Sequence, residues 1–129
     1  MDIEDIAKTI VDAAYQVHCT LGPGLLETVY QRCLLVELQS RGLRVECEMP
    51  LSIVYRNIKI DVGYRMDMVV EGCIVIENKA IEAVQPVHKA QIITYLKVSR
   101  YQLGFLINWN VPLIKDGIHR LINKNMNKS

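Results

Sequence analysis

The chain has 129 residues, of which 50% are hydrophobic and 22% charged, and its formal net charge is +1. This length and composition are typical of one globular domain with a hydrophobic core. Proteins that bind nucleic acid often carry a strong basic excess, which this chain lacks, so any phosphate-binding surface would have to be local. We expect one domain over residues 1–122 and a frayed polar tail over residues 123–129.

The four cysteines include no CxxC pair, which favours reduced thiols in a cytoplasmic protein over a zinc site or disulfides. The start of the chain lacks the apolar stretch of a signal peptide. The longest uncharged run, Tyr101 to Ile114, is too short to span a membrane. We therefore expect a cytoplasmic location and no membrane partner.

Apolar residues at helical spacing predict two helices in the first third of the chain. The first covers residues 3–20, with Asp2 as its N-cap, and Gly22-Pro23-Gly24 ends it. The second covers residues 25–40 and closes at Arg41-Gly42.

The middle of the chain predicts strands, and the last third predicts one more helix between strands. The expected strands cover residues 43–48, 51–55 after a bend at Pro50, 58–69 after a turn at 56–57, and 73–79. Next come a helix from Gln85-Pro86 to Ser99, a buried strand at 102–109, an extended stretch at 111–114, a turn at 116–117 and a strand at 118–122. A helix between two strands suggests a crossover connection, so we expect a mixed central sheet with helices on its faces.

Three charged residues interrupt the buried strands at 58–69 and 73–79. Glu77 and Lys79 are two apart and share a face of their strand. A three-residue loop at 70–72, with Gly72 at its left-handed position, puts Asp67 diagonal to Glu77 on that same face. A two-residue turn would put it on the opposite face, so we choose the longer loop.

Two carboxylates on one strand pair form an oxygen-rich site of the kind that Mg²⁺ prefers. A lysine beside them can orient an attacking water or stabilise charge on a phosphate. The alternative is a plain ion pair between Glu77 and Lys79 at a strand end, and the two interpretations have about equal weight.

Several motifs in this chain are similar to those of a known family. Asp67…Glu77-Asn78-Lys79 resembles the PD-(D/E)xK nuclease signature, with Met66 in place of the usual Pro. Gly24-Leu-Leu-Glu27-Thr-Val-Tyr30 looks like the motif that names the GxxExxY family of that superfamily. Two later segments, His88 to Leu96 and Leu106 to Gly117, are also similar to that family.

The resemblance implies a restriction-endonuclease-like α/β core: a mixed central sheet whose antiparallel three-stranded meander is flanked by helices. It implies that Asp67, Glu77 and the backbone carbonyl of Asn78 bind Mg²⁺ or Mn²⁺, and that Glu27 holds metal or water. It further implies that Lys79 positions the water and that Gln91 contacts the phosphate or orders Lys79.

Three further side chains have open interpretations. Tyr30 and Tyr95 are either packing residues or platforms for stacked bases, with packing favoured, and His88 either lines the cleft or caps its helix. The favoured function is a Mg²⁺-dependent nuclease acting on nucleic acid, with DNA as the first expectation. The opposing hypothesis is a non-catalytic binding module with the same fold, and a third is activity only in a homodimer or a partner complex.

Overall fold

The computed structural model describes residues 1–61 and 63–124. Its helices are α1 Ile3–Leu21, α2 Glu27–Ser40 and α3 Pro86–Ser99, with a short 3-10 helix at Ile114–Asp116. Its strands are β1 Val45–Pro50, β2 Ile53–Tyr55, β3 Ile58–Ile60, β4 Arg65–Val70, β5 Ile74–Lys79, β6 Leu103–Asn108 and β7 Ile118–Ile122. No helix in these ranges is long and apolar enough to cross a membrane.

Five of the strands form one mixed sheet in the order β1-β4-β5-β6-β7. β1, β4 and β5 are antiparallel neighbours, β6 lies parallel to β5, and β7 returns antiparallel to β6. The parallel pair is connected through α3, because parallel strands cannot be joined by a tight turn. This architecture confirms the predicted mixed sheet with an antiparallel meander.

The two faces of the sheet are covered by different helices. On one face, α1 and α2 pack on alternate strand residues such as Met68, Ile74, Ile76 and Ile107. On the other face, Tyr95 and Leu96 of α3 pack on a smaller cluster that contains Val69 and Val75. The period-2 alternation of β4 and β5 therefore separates a large core from the face that carries Asp67 and Glu77.

The helix ends agree with the capping signals. The Asp2 side chain accepts a hydrogen bond of 2.9 Å from the Asp5 amide, as an N-cap does. α3 begins at Pro86 and ends at Ser99, as predicted. α2 begins at Glu27, two residues later than predicted, because Leu26 still has extended backbone angles.

The structure differs from the predicted strand at 58–69, which is instead β3 and β4, separated by a segment in which Gly63 takes a φ of 84°. Residues 111–113 form bends that lead into the 3-10 helix, and Leu113 has the expected extended backbone angles. Asn123, the first residue of the predicted tail, is buried, and its side chain donates to the carbonyls of Leu96 and Tyr101. Residues 125–129 of that predicted tail lie outside the described residues.

Candidate active site

Asp67 and Glu77 lie directly opposite each other at one end of the sheet. β4 and β5 pair Val70 with Ile74 and Met68 with Ile76, so the same register puts Asp67 across from Glu77. The loop has three residues as predicted, but it covers 71–73, one position later than expected. Glu71 and Gly72 both take positive φ in it. The shared face is confirmed, whereas the predicted diagonal placement of Asp67 opposite Val75 is wrong.

The two carboxyl groups are held together by backbone as well as by each other. The Asn78 amide donates to Asp67 Oδ2 at 2.8 Å, and the Asp67 amide reaches Glu77 Oε2 at 3.4 Å. Glu77 is only 5% exposed. Burial first, and then the negative charge of Asp67, raise the pKa of Glu77 to about 9. Without a cation, Glu77 therefore holds a proton at neutral pH.

Lys79 lies half-buried beside this pair but does not close on it. In the part of the chain that is described, no carboxylate oxygen lies within 4.0 Å of the Lys79 ammonium. Its positive charge nevertheless partly offsets the upward pKa shifts of Glu77 and Glu27. The plain ion pair considered from the sequence is thus not formed, and the ammonium stays available to another group.

Glu27 approaches the same cluster from the first turn of α2. Partial burial and the charge of Asp67 raise its pKa, with a smaller contribution from Glu48. The carboxylate of Glu27 is therefore close enough to Asp67 and Glu48 to be affected by their charges, although the residue is exposed to solvent. This is the helix side from which the sequence predicted it to face the cleft.

The donor set fits a hard cation with few protein ligands. Within residues 1–61 and 63–124, no three His, Cys, Asp or Glu side chains are close enough to form a metal-binding group. Mg²⁺, however, is commonly held by one or two carboxylates and keeps several waters. Two adjacent carboxylates, which repel each other when both are ionised, are a pair that such a cation would stabilise.

α3 supplies the other wall of the cleft. Lys79, His88 and Gln91 line one open depression. The Gln91 amide donates to the Tyr95 hydroxyl at 3.1 Å, and burial together with the charge of Glu77 raises the pKa of Tyr95. His88 Nδ1 accepts the Gln85 amide at 2.8 Å, so this side chain both caps α3 and faces the depression.

A family model of the PD-(D/E)XK nuclease superfamily matches residues 4–121. The chain belongs to this superfamily. A search of curated proteins and a search of solved structures each gave no match. The superfamily match agrees with the restriction-endonuclease-like fold.

Tyr30 is placed inside the core rather than in the cleft. Its ring stacks on Trp109, with ring centroids 5.1 Å apart. Its hydroxyl donates to the Gly22 carbonyl at 2.6 Å and accepts the Leu25 amide at 3.1 Å. In this superfamily member, Tyr30 therefore fixes the loop that leads to Glu27.

Sequence reasoning missed the polar residues that support the site. Gln31 donates to Glu48 at 3.0 Å and reaches the Asp67 carbonyl at 3.4 Å. Its spacing of four residues from Glu27 was the available signal, because such residues share a helical face. Its position shows that the α2 face carrying Glu27 is joined to β4 by hydrogen bonds.

Two buried asparagines support the strand end that carries Lys79. The side chain of Asn108 makes two hydrogen bonds to the backbone of Ile81. Its Oδ1 accepts from the Ile81 N–H at 3.1 Å, and its Nδ2 donates to the Ile81 carbonyl at 3.0 Å. Asn78 Oδ1 accepts the Trp109 indole N–H at 2.9 Å, and the Trp109 amide donates to the Lys79 carbonyl at 2.9 Å. Their signal in the sequence was an amide within an apolar run, since a buried amide needs partners.

Proposed function

We propose that this protein is a divalent-metal-dependent nuclease of the GxxExxY type, which hydrolyses phosphodiester bonds of nucleic acid, with DNA as the first substrate to test. The observation that carries the proposal is that half-buried Asp67 and buried Glu77 lie beside Lys79, whose ammonium has no carboxylate oxygen within 4.0 Å among the described residues. A pair with a purely structural role would be expected to use this ammonium as its counter-ion. In the proposal a metal ion binds the two carboxyl groups instead, and Lys79 stays available to a phosphate.

In this proposal Asp67, Glu77 and the Asn78 carbonyl hold Mg²⁺ or Mn²⁺, and Glu27 holds a metal-bound or attacking water. A bound divalent cation would neutralise developing charge on the phosphate and lower the pKa of a bound water. Lys79 orients the water or stabilises the phosphate oxygens. Gln91, held by Tyr95, contacts the phosphate from the α3 side, and the free edge of His88 borders the same depression.

The test is cleavage of a panel of substrates with Mg²⁺ or Mn²⁺: single strand, duplex, flap, four-way junction and RNA. We expect at least one to be cut, and Lys79→Ala and Asp67→Asn to abolish that cutting. The matched controls are Lys8→Ala on α1 and Asp116→Asn in the 3-10 helix, both exposed, which should leave cutting unchanged. Cutting that survives Lys79→Ala and Asp67→Asn would contradict the proposed site.

The second candidate is a non-catalytic binding module with the same fold. It is favoured by the lack, among the described residues, of a group of three metal-binding side chains. Its signature would be nucleic-acid or protein binding without cutting, together with a melting temperature that Mg²⁺ and Mn²⁺ do not change. Sizing the protein at several concentrations tests the third hypothesis, in which activity needs a homodimer.

A further inference from the structure

β2 and β3 form a ribbon of their own, which we call the arm and define as residues 53–60. The strands pair Ile53 with Ile60, Val54 with Lys59 and Tyr55 with Ile58, and the described strands of the main sheet do not pair with them. Arg56 and Asn57 form the two-residue turn, both with positive φ. The arm thus has one well-defined pairing and a turn with the handedness that suits a two-residue hairpin.

The arm extends from the end of the sheet that carries the candidate site. The arm begins three positions after the last residue of β1 and ends five positions before the first residue of β4, and Asp67 is the third residue of β4. At its base, the Leu51 amide donates to the Tyr64 carbonyl at 2.9 Å. The Tyr64 ring lies edge-on to Tyr95, at 6.3 Å between centroids. The base of the arm at Tyr64 is therefore three residues from Asp67 along the chain and contacts α3 through Tyr95.

The arm exposes large apolar and aromatic side chains to solvent. Val54, Tyr55 and Ile58 are 65%, 63% and 65% exposed. The Arg56 guanidinium lies over the Tyr55 ring, 5.9 Å from its centroid. A two-stranded ribbon alone is only marginally stable in water, and exposed apolar patches commonly mark interaction sites. The arm therefore has the character of a binding element.

The charges of this region identify the class of partner. Arg56 and Lys59 in the arm and Arg65 at the start of β4 have no carboxylate within 4.0 Å among the described residues. Two copies of the arm packed together would bring these unpaired cations against each other. A polyanion complements them instead, and it needs them, because the carboxylates of the nearby site repel phosphate.

We propose that the arm binds the nucleic-acid substrate next to the cleft, with Arg56 and Lys59 on the phosphates and Tyr55 stacked on an unpaired base. This inference rests on the proposed function, and it adds a substrate-binding element outside the metal site. Base stacking on an aromatic ring is tolerant of sequence and requires a base that is free of its own stack. The arm therefore favours substrates with single-stranded segments, such as flaps and junctions, over plain duplex.

The test is binding of labelled single strand, flap, junction and duplex, measured by fluorescence anisotropy in Ca²⁺ over a range of salt. The charge variant combines Arg56→Asn, which suits the positive φ of the turn, with Lys59→Gln. We expect it to weaken binding about tenfold and to reduce the slope of log affinity on log salt by about two. Tyr55→Ala should weaken single-strand and flap binding about tenfold and duplex binding much less. The matched control combines Lys8→Gln and Lys97→Gln, both on exposed helix positions.

The outcomes separate this proposal from the proposed function. If the unmutated protein cuts nucleic acid and the arm variants bind and cut as it does, the arm proposal is wrong and the nuclease stands. If the unmutated protein binds nucleic acid without cutting it, and the arm variants lose that binding, the arm proposal stands and the nuclease proposal does not. If the unmutated protein neither binds nor cuts, both are wrong. If the arm variants instead turn a dimer into a monomer with unchanged binding, the arm serves a second copy and the proposal is overturned.

Discussion

Glu77→Gln should stabilise the metal-free protein, and the effect should grow with pH. In the folded protein the pKa of Glu77 is raised to about 9, from an ordinary value of 4.5. Between these values the folded state holds a proton that the unfolded state has released, so the free energy of unfolding falls as pH rises, and the full stability from this group exists only below about pH 4.5. At about 1.4 kcal/mol per pH unit, the loss reaches about 3 kcal/mol at pH 7.

A glutamine removes this loss and keeps the shape, because its amide can donate to Asp67 as the protonated Glu77 does. The measurement is urea or thermal unfolding in EDTA at about pH 5, 7 and 9. The expected result is a variant with nearly equal stability at pH 5 and a gain of about 3 kcal/mol at pH 7. Glu46→Gln, on an exposed position of β1, is the matched control. Parallel pH profiles for Glu77→Gln and the unmutated protein would refute the reasoning that Glu77 holds a proton in the folded protein at neutral pH.

Three further variants test other parts of the site. Asp67→Asn should leave the metal-free fold as stable or slightly more stable, because loss of the Asp67 charge lowers the raised pKa of Glu77. It should also remove the rise in melting temperature with Mg²⁺ or Mn²⁺, which for the unmutated protein is worth about 2.7 kcal/mol at a hundredfold excess over Kd. Lys79→Ala should keep that metal-dependent rise in a thermal melt but lose cutting in the substrate panel, and a lost rise would assign Lys79 a structural role. Gly117→Ala should destabilise the fold by about 3 kcal/mol or more in urea unfolding, because its Cβ would lie 2.0 Å from the Asn108 carbonyl oxygen; near-normal stability would mean that this backbone moves easily.

The helices and the order of elements could be predicted because their signals are local. Asp2 caps α1 through its own side chain, and Pro86 starts α3 because proline suits a first helical position. The alternation of β4 and β5 assigned each strand face without any knowledge of the partner. These features depend on neighbours within a few residues, which the sequence displays directly.

The shape of the arm could not be predicted because it depends on how two distant limbs are paired. Apolar residues recur among polar ones from Ile58 to Val69, so the sequence favours one long strand. In the structure, two residues separate the pair Pro50–Arg65 from Ile53–Ile60 on one limb and four on the other. Because the two connecting segments differ in length by two residues, the pairing of β2 with β3 is not continuous with the pairing of β1 with β4. β3 and β4 are therefore separate strands, and β2 and β3 form a ribbon of their own. Two extra residues in one connecting segment keep the two-residue alternation of a strand in phase, so the sequence pattern does not reveal them.

The sheet face that carries the candidate site residues was predictable, but their electrostatic state was not. Asp67, Glu77 and Lys79 could be assigned to one face from parity alone, and parity is unchanged when the loop moves by one position. Whether Lys79 closes on Glu77 depends instead on distances that strand spacing does not give. Those distances follow from the β6 contacts of Asn108 and Trp109, which hold the end of β5 and the residues after it. Because β6 fixes this strand end while the Asn78 amide holds Asp67, the two carboxyl groups stay together and the pKa of Glu77 is raised. A fold that holds the two groups this close by backbone contacts retains an energetic reason to bind a cation, because a cation stabilises the ionised form of Glu77 beside Asp67, and this reason underlies the metal-dependent proposal.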